Sequence, residues 1–390
     1  MKKTILALAV PALLAAGVTN AATIYNNDGT TVDLKGSIRL WANTDSSRSG
    51  IEKTAQFEDE GSRFGIGVNH DLGNGLSAFG YLEYGNDTQT MEKDFKLTNR
   101  QGYAGFKMAD IGAISFGRIT APFDDVALSD YTYEYGGVMN FGKMENDTKK
   151  SGNNFLARVS KSIKVETAEV NGFKAAASYS MQADGDKAKF DETSGGEYYN
   201  NAGINNAYTL AGFYTSDFGL TLNAGYGYAK YNAGTDSLTI DGDVLNRSGE
   251  ADSNIWGIGS QYEFGDFAVA FDFGQARHDN AISGLNKSKA DLYGFGTKWN
   301  YGMGKVYAGY YLKDYKDRLV AYTNGDVASL NKEETYTVGV DYNFSKSVVT
   351  FLEYAHVKTK YDAFYDAATN SVGSKNESDN KVGLGLRVYF

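Results

Sequence analysis

The sequence predicts an all-β fold: one transmembrane antiparallel β-barrel of about sixteen strands, with short turns at one end and long loops at the other. Three observations predict it. The composition is that of a β protein. Polarity alternates residue by residue through segments of about ten residues. The connections between those segments are alternately short and long.

The 390 residues include 46 Gly, 29 Tyr and 22 Phe, but only 2 Pro and no Cys. Such glycine and aromatic content suits strands and tight turns. It suits helices poorly, because Gly costs ~1 kcal/mol against Ala inside a helix. The mean hydropathy of -0.41 resembles that of a water-soluble chain. A membrane barrel gives a similar value, since every second strand residue faces water, so periodicity must decide the class. The lack of Cys excludes disulfides and thiolate metal sites.

The first element is an export signal. Lys2 and Lys3 are its basic start, Ile5 to Val18 its apolar stretch, interrupted by Pro11, and Thr19 and Ala21 its small residues before the cut. The segment 1–21 is therefore expected to be removed, leaving a single barrel domain over 22–390. Loss of two Lys and no acid moves the formal charge from -10 to -12. A chain this acidic is not expected to bind nucleic acid through a basic surface.

The strands follow. Val32, Leu34, Ile38, Leu40 and Ala42 share one parity, with Asp33, Lys35, Ser37, Arg39 and Asn43 on the other. Tyr336, Val338, Val340, Tyr342 and Phe344 alternate with Thr335, Thr337, Gly339, Asp341 and Asn343. Val382, Leu384, Leu386, Val388 and Phe390 alternate with Lys381, Gly383, Gly385, Arg387 and Tyr389. Successive strand side chains point to opposite faces, so each segment has one oily face. The polar face carries too many charges for a dry core, so it is expected to line a wet interior. Tyr84, Trp256, Trp299 and Tyr342 lie near segment ends, where aromatic girdles meet the bilayer interfaces. Trp41 has the inward parity and fits the girdle less well.

Short connections are expected at 72–75, 109–112, 170–172, 216–219, 264–266, 301–304 and 344–347, and long ones near 44–60, 86–96, 120–153, 183–206, 232–252, 279–288, 317–332 and 361–379. About sixteen segments lie between them, enough for a barrel with an aqueous channel. The last segment ends in Phe390 and is expected to pair with the first, leaving no open edge.

The connection 120–153 is too long for a simple hairpin. Asp124, Asp125, Asp130 and Glu134 stand among Phe123, Tyr131, Tyr133 and Tyr135. Composition leaves two arrangements open: a loop folded into the barrel, narrowing it, or an acidic loop in solvent. Arg39, Arg63 and Arg158 take the polar parity of their segments, whereas Arg100 lies where alternation is weak. An Arg facing lipid at mid-depth costs ~2–4 kcal/mol, which favours the inward direction for each. Loop acids facing them at ~8 Å would interact by roughly 2 kcal/mol at an effective dielectric of 20. A Debye length of ~8 Å does not erase such a field.

At this point the chain resembles the trimeric general diffusion porins of Gram-negative bacteria, such as porins C and F. The resemblance rests on ATIYNNDGTTVDLKG at the mature start, NRQGYAGFKMADIGAISFGR, SDYTYEYGG and the terminal Phe390. It implies passive diffusion of ions and small hydrophilic solutes across the outer membrane, a homotrimer, contact with lipopolysaccharide and lipid, and no cofactor. The long loop becomes the constriction. Asp130 and Glu134, with Asp124 as a tie to the wall, supply its acidic side, and Arg63, Arg100 and Arg158 its basic side, to which Arg39 is added by its own strand parity rather than by the resemblance. Arg118, on the outward parity after Phe116, becomes a subunit contact with Glu92 as partner, and Phe390 the signal to the barrel-assembly machinery. Two positions depart from the family pattern. Val138 stands where an acid is common, and Ser37 where a lumenal Lys is, with Arg39 two residues on.

Other functions have weaker support. His70, His278 and His356 are the only histidines; His70 lies just before a short turn, His278 opens a long loop without an obvious nucleophile partner, and no enzyme is expected. Glu58-Asp59-Glu60 lacks regular ligand spacing for a metal. A solute-specific channel would need an aromatic track, for which Tyr307 and Tyr311 alone are too few. A receptor or adhesin role for the loops is compatible with a pore.

Overall fold

The structure, a computed structural model, describes residues 21–44, 55–86, 97–139, 154–181, 204–232, 237–240, 243–246, 251–279, 287–321, 327–366 and 371–390. Residues 1–20 of the expected export signal, Glu92, and the second part of the long connection, 140–153, lie outside these.

The described chain is almost entirely strand. In order the strands are β1 (Ala22–Asn27), β2 (Thr30–Asn43), β3 (Gln56–Asp59), β4 (Arg63–Gly73), β5 (Leu76–Asn86), β6 (Leu97–Met108) and β7 (Gly112–Thr120). After the long connection come β8 (Arg158–Thr167), β9 (Phe173–Ser180), β10 (Ile204–Thr215), β11 (Leu220–Tyr231), β12 (Ser237–Ile240), β13 (Asp243–Asn246) and β14 (Asp252–Phe264). The last six are β15 (Phe267–His278), β16 (Ser288–Asn300), β17 (Lys305–Ala321), β18 (Val327–Ser345), β19 (Val348–Asp366) and β20 (Ser371–Tyr389).

Pairing closes them into one barrel. On one edge of β2, β20 pairs with Ser37–Asn43 and β1 with Thr30–Leu34, so the two share one position. On the other edge, β4 pairs with Thr30–Ser37 and β3 with Leu40–Asn43. β12 and β13 form a hairpin apart from the main sheet. The rest pair antiparallel with their neighbours, giving a closed barrel of 16 strands. Closure satisfies every edge, as a lipid-facing sheet requires.

The faces are inverted relative to a soluble protein. Phe64, Ile66, Val68, Ile258, Val338, Val340, Leu384 and Leu386 point outward and are exposed. Ser37, Asn43, Glu83, Asp272, Asp341 and Glu353 are buried on the inner side. Trp256, Trp299 and Tyr342 are exposed on the outer surface, as a girdle requires. Trp41 is fully buried inside, with its ring 5.3 Å from that of Tyr135.

The seven expected short turns each join two strands. At 74–75 both residues are left-handed, with φ of 53° at Asn74 and 77° at Gly75, the conformation that suits the twist of a tight hairpin. Two long connections are corrected. β17 continues to Ala321 and β18 resumes at Val327, and β19 runs to Asp366 with β20 starting at Ser371. Most of 317–332 and 361–379 is therefore strand. Beyond the lipid the outer face no longer needs apolar side chains, so alternation fades while the backbone ladder continues.

Candidate functional site: a loop strapped across the barrel interior

The connection after β7 turns inward. Pro122–Asp125 form one turn of 3-10 helix, which buries Phe123. The chain then crosses the inner wall, and glycines make room for it. A Cβ on Gly225 would meet Val126 Cγ2 at 2.6 Å, and one on Gly257 would meet Met139 Cε at 2.8 Å. On Gly259, Gly294 and Gly296 it would collide with the Val126 carbonyl oxygen, the Ser129 hydroxyl and the Ser129 carbonyl oxygen respectively.

Two acids on the wall hold the loop backbone. Asp272 of β15 accepts the N–H of Leu128 at 2.8 Å, the N–H of Ser129 at 3.0 Å and the Ser129 hydroxyl at 2.6 Å. Glu353 of β19 accepts the N–H groups of Tyr133, of Glu134 at 3.0 Å and of Tyr135 at 3.3 Å, and the Tyr307 hydroxyl at 2.7 Å. Tyr133 donates to Asp341 at 2.8 Å and stacks on Phe351 with centroids 4.2 Å apart and 5° between planes. Tyr131 donates to Gln261 at 2.8 Å, and Thr337 donates to the carbonyl of Tyr135. A carboxylate accepting several N–H groups is a strong clamp, because charged hydrogen bonds gain about twice what neutral ones do. Of the two arrangements open to the sequence, the loop through Met139 takes the inward one.

Each loop acid lies near a basic group. Glu134 forms a buried ion pair with Arg387 of β20. Asp124 is exposed within the field of Arg158. Asp130 is exposed to the lumen, accepts the N–H of Thr132 at 3.0 Å and its hydroxyl at 2.7 Å, and lies within the field of Lys305. Water reaches its edge, but protein rings it. That desolvation raises the Asp130 carboxyl above its ordinary pKa, against the Thr132 hydrogen bonds and Lys305.

The expected arginines gather on the wall of β2, β4, β6 and β8. Arg63 lies in the fields of Arg100, Arg39 and Arg158, and Arg39 in those of Arg387 and Arg100. Arg39 and Arg387 are directly opposed across β2 and β20. Arg39 Nε donates to Ser37 Oγ at 2.9 Å, and Arg63 Nε to the carbonyl of Gly61 at 3.0 Å. Ser37, the departure from the family pattern, thus orients the charge that Arg39 supplies. Val138, the other departure, is fully buried against Gly294, so apolar packing pins that part of the loop.

Arg100 was hard to place for a structural reason. Glu83 pairs with Gln101 and Tyr84 with Asn99, so Arg100 is the extra residue of a β-bulge. Its stem lies over Gly85, and its Nε reaches Glu83 at 2.9 Å. Arg118 Nε donates to the carbonyls of Asn99 at 3.1 Å and Arg100 at 3.0 Å, and its Nη1 to Ser160 Oγ at 2.8 Å. It therefore ties down the backbone at that bulge.

The clamp residues Asp272 and Glu353, and the partners Glu83 and Arg387, are the ones sequence reasoning missed. Asp341 and Arg387 lie on the polar parity, but parity does not tell an anchor from a pore-lining charge. Tyr307 and Tyr311, weighed as a sugar track, instead donate to Glu353 and to the Ser129 carbonyl at 3.3 Å. His278 does have a hydroxyl partner, Ser253, but both side chains are buried.

Comparison with known proteins agrees with this architecture. The chain is 31% identical to a major outer membrane protein of Pasteurella multocida, over the full length of both. It is 27% identical to the outer membrane porin protein OmpD of Salmonella typhimurium, again over the full length of both. Among solved structures it is similar to the trimer form of OmpT from Vibrio cholerae, with a TM-score of 0.65 and 19% identity, covering 93% of this chain and 100% of that one. A family model for Gram-negative porins matches residues 7–362. With an oily outer wall, a charged interior and a loop strapped across it, the chain belongs to the Gram-negative porin family and is a diffusion channel of the outer membrane.

Proposed function

We propose that transport is passive, without a catalytic step, and that the loop from 120 to 153 is its filter. The observation that carries this reading is the clamping of residues 121–139 to the inner wall by Asp272 and Glu353, opposite the arginines of β2, β4, β6 and β8. Small hydrated solutes pass between the loop and that wall. Large or apolar solutes lose hydration there and are rejected. Asp124, Asp130 and Glu134 with Arg39, Arg63, Arg100 and Arg158 shape the local field.

The remaining parts of the proposal concern assembly. Residues 1–21 act as a cleaved export signal, and Phe390 is read by the barrel-assembly machinery. The chain forms a homotrimer, the form named for the similar Vibrio cholerae structure, with Arg118 beside the subunit boundary. Contact with lipopolysaccharide finds support in a basic row on the outer face. Arg277, Lys289 and Lys316 are exposed and directly opposed across β15, β16 and β17, beyond Phe273 and Tyr293.

Conductance in a planar lipid bilayer tests the filter. Purified protein should insert with large ohmic steps, three per event, and maltose or another neutral sugar should not block them. Absence of steps overturns the pore, and selective block by one sugar replaces general diffusion with a specific channel.

A further inference from the structure

Arg118 stands on the outward parity of β7, opposite Gly102 of β6. An arginine on that face is costly in lipid unless the protein uses its N–H groups. Here the side chain spans three strands. Its Nε donates to the carbonyls of Asn99 and Arg100 on β6, and its Nη1 to Ser160 Oγ on β8 at 2.8 Å. Both partners lie at irregularities of the sheet. The β6–β7 ladder begins only at Gly102, so the guanidinium meets β6 beyond the end of that ladder. Between β7 and β8 the register jumps from Gly117 opposite Ser162 to Ile119 opposite Val159, which leaves Ser160 and Lys161 facing Arg118. Lys161 there is left-handed, with φ of 55°, a conformation uncommon outside glycine. Ser162 closes this bulge by donating to the carbonyls of Val159 at 3.2 Å and Ser160 at 3.1 Å.

The bulge on β6 decides where Arg100 points. Glu83 is buried on the inner side and pairs with Gln101. In an unbroken ladder Arg100 would then oppose Tyr84, whose ring stacks on that of outward Phe64, and would face lipid. Instead Tyr84 pairs with Asn99, and Arg100 is the extra residue. It turns inward, where its Nε meets Glu83 at 2.9 Å and its charge acts on Arg63 and Arg158.

We propose that Arg118 is a positioning residue for transport: from the outer face it locks the bulges of β6 and β8 together and so holds Arg100 in the lumen. Carbonyls released by a bulge need donors from the protein, because lipid supplies none. A guanidinium suits that task, since it is always charged and donates in several fixed directions at once. The inference rests on the arginine wall being part of the filter, because the direction of Arg100 matters to transport only where solutes pass close to it.

The test is a double-mutant cycle on the full-length protein in a planar bilayer, read as the zero-current potential in a potassium chloride gradient at low salt. Arg100→Gln removes a lumenal charge and should shift the potential toward potassium. Arg118→Leu should give most of that shift, although it leaves every lumenal charge in the chain. Added to Arg100→Gln it should give no further shift, because no charge is left to position. Ser160→Ala alters no charge, yet should shift the potential in the same direction by less. If Arg118→Leu does not insert, Ser160→Ala takes its place in the cycle. A shifted Arg100→Gln channel beside an unshifted Arg118→Leu channel overturns the inference alone, as do shifts that simply add in the double variant. A wild-type potential in Arg100→Gln removes Arg100 from the filter, and the inference falls with that reading.

Discussion

Glu353 is the residue on which the loop tip depends most. It accepts three consecutive backbone N–H groups and the Tyr307 hydroxyl. Replacing it with Ala leaves those donors without an acceptor, at about 1–3 kcal/mol for each that stays buried. The cheapest relief is for the tip to leave the wall. Glu353→Ala should therefore raise single-channel conductance and current noise while the strand signal in circular dichroism is retained; unchanged conductance would remove Glu353 from the clamp. Arg387→Gln makes a separate prediction. It frees the Glu134 carboxylate and removes one positive charge, so the zero-current potential should move toward cations without a change in step size. Much of this chemistry was legible residue by residue. A charge in mid-strand has to face the lumen, which placed Arg39 and Arg63. Arg100 was not legible, because a bulge breaks the parity that the argument uses. Asp272 and Glu353 were not legible as clamps because their partners are backbone groups 143 and about 219 residues away, and no side-chain pattern marks those.

At the scale of elements, the loop and its glycine bed are one unit. Gly259, Gly294 and Gly296 are inward positions on β14 and β16, where any side chain would collide with Val126 or Ser129. Glycine weakens a strand, so a row of them on one face marks a close approach by another backbone. Gly296→Ala should displace the Ser129 region and change conductance. Gly212→Ala, on the outer face of β10 with open space around it, should not. Equal behaviour of the two variants would separate the glycine bed from the constriction. The row was present in the sequence, but glycine at these positions also reads as weak alternation, so the bed could be recognised only once the loop lay on it. The strands themselves were readable wherever lipid forces an oily face. They were misread beyond the lipid, at 317–332 and 361–379, where that force stops and polar residues continue the ladder.

Closure belongs to the whole molecule. Counting segments and requiring no open edge led to pairing of the first strand with the last, but neither segment names its partner. The seam is set by contacts that composition does not show. Gly36 N–H donates to the Phe390 carbonyl at 2.6 Å, and Phe390 N–H donates back to the Gly36 carbonyl at 3.0 Å. Above this exchange the Phe390 ring lies on Gly36, where an added Cβ would meet Cζ at 2.6 Å and the Arg63 carbonyl oxygen at 2.7 Å. A side chain there is caught between a ring and the backbone of β4, so one of them must move. The ring is the softer, and its departure pulls on the hydrogen bonds that close β2 against β20. Gly36→Val should therefore slow refolding from urea into detergent micelles and lower the temperature at which the folded band is lost in electrophoresis. Gly373→Val, at an exposed glycine with no neighbour within 4 Å, is the control. If both variants refold at the wild-type rate, the seam tolerates a side chain at Gly36. Closure would then rest on the longer ladder from Ser37 to Asn43, which pairs with β20 whether or not the ring is seated.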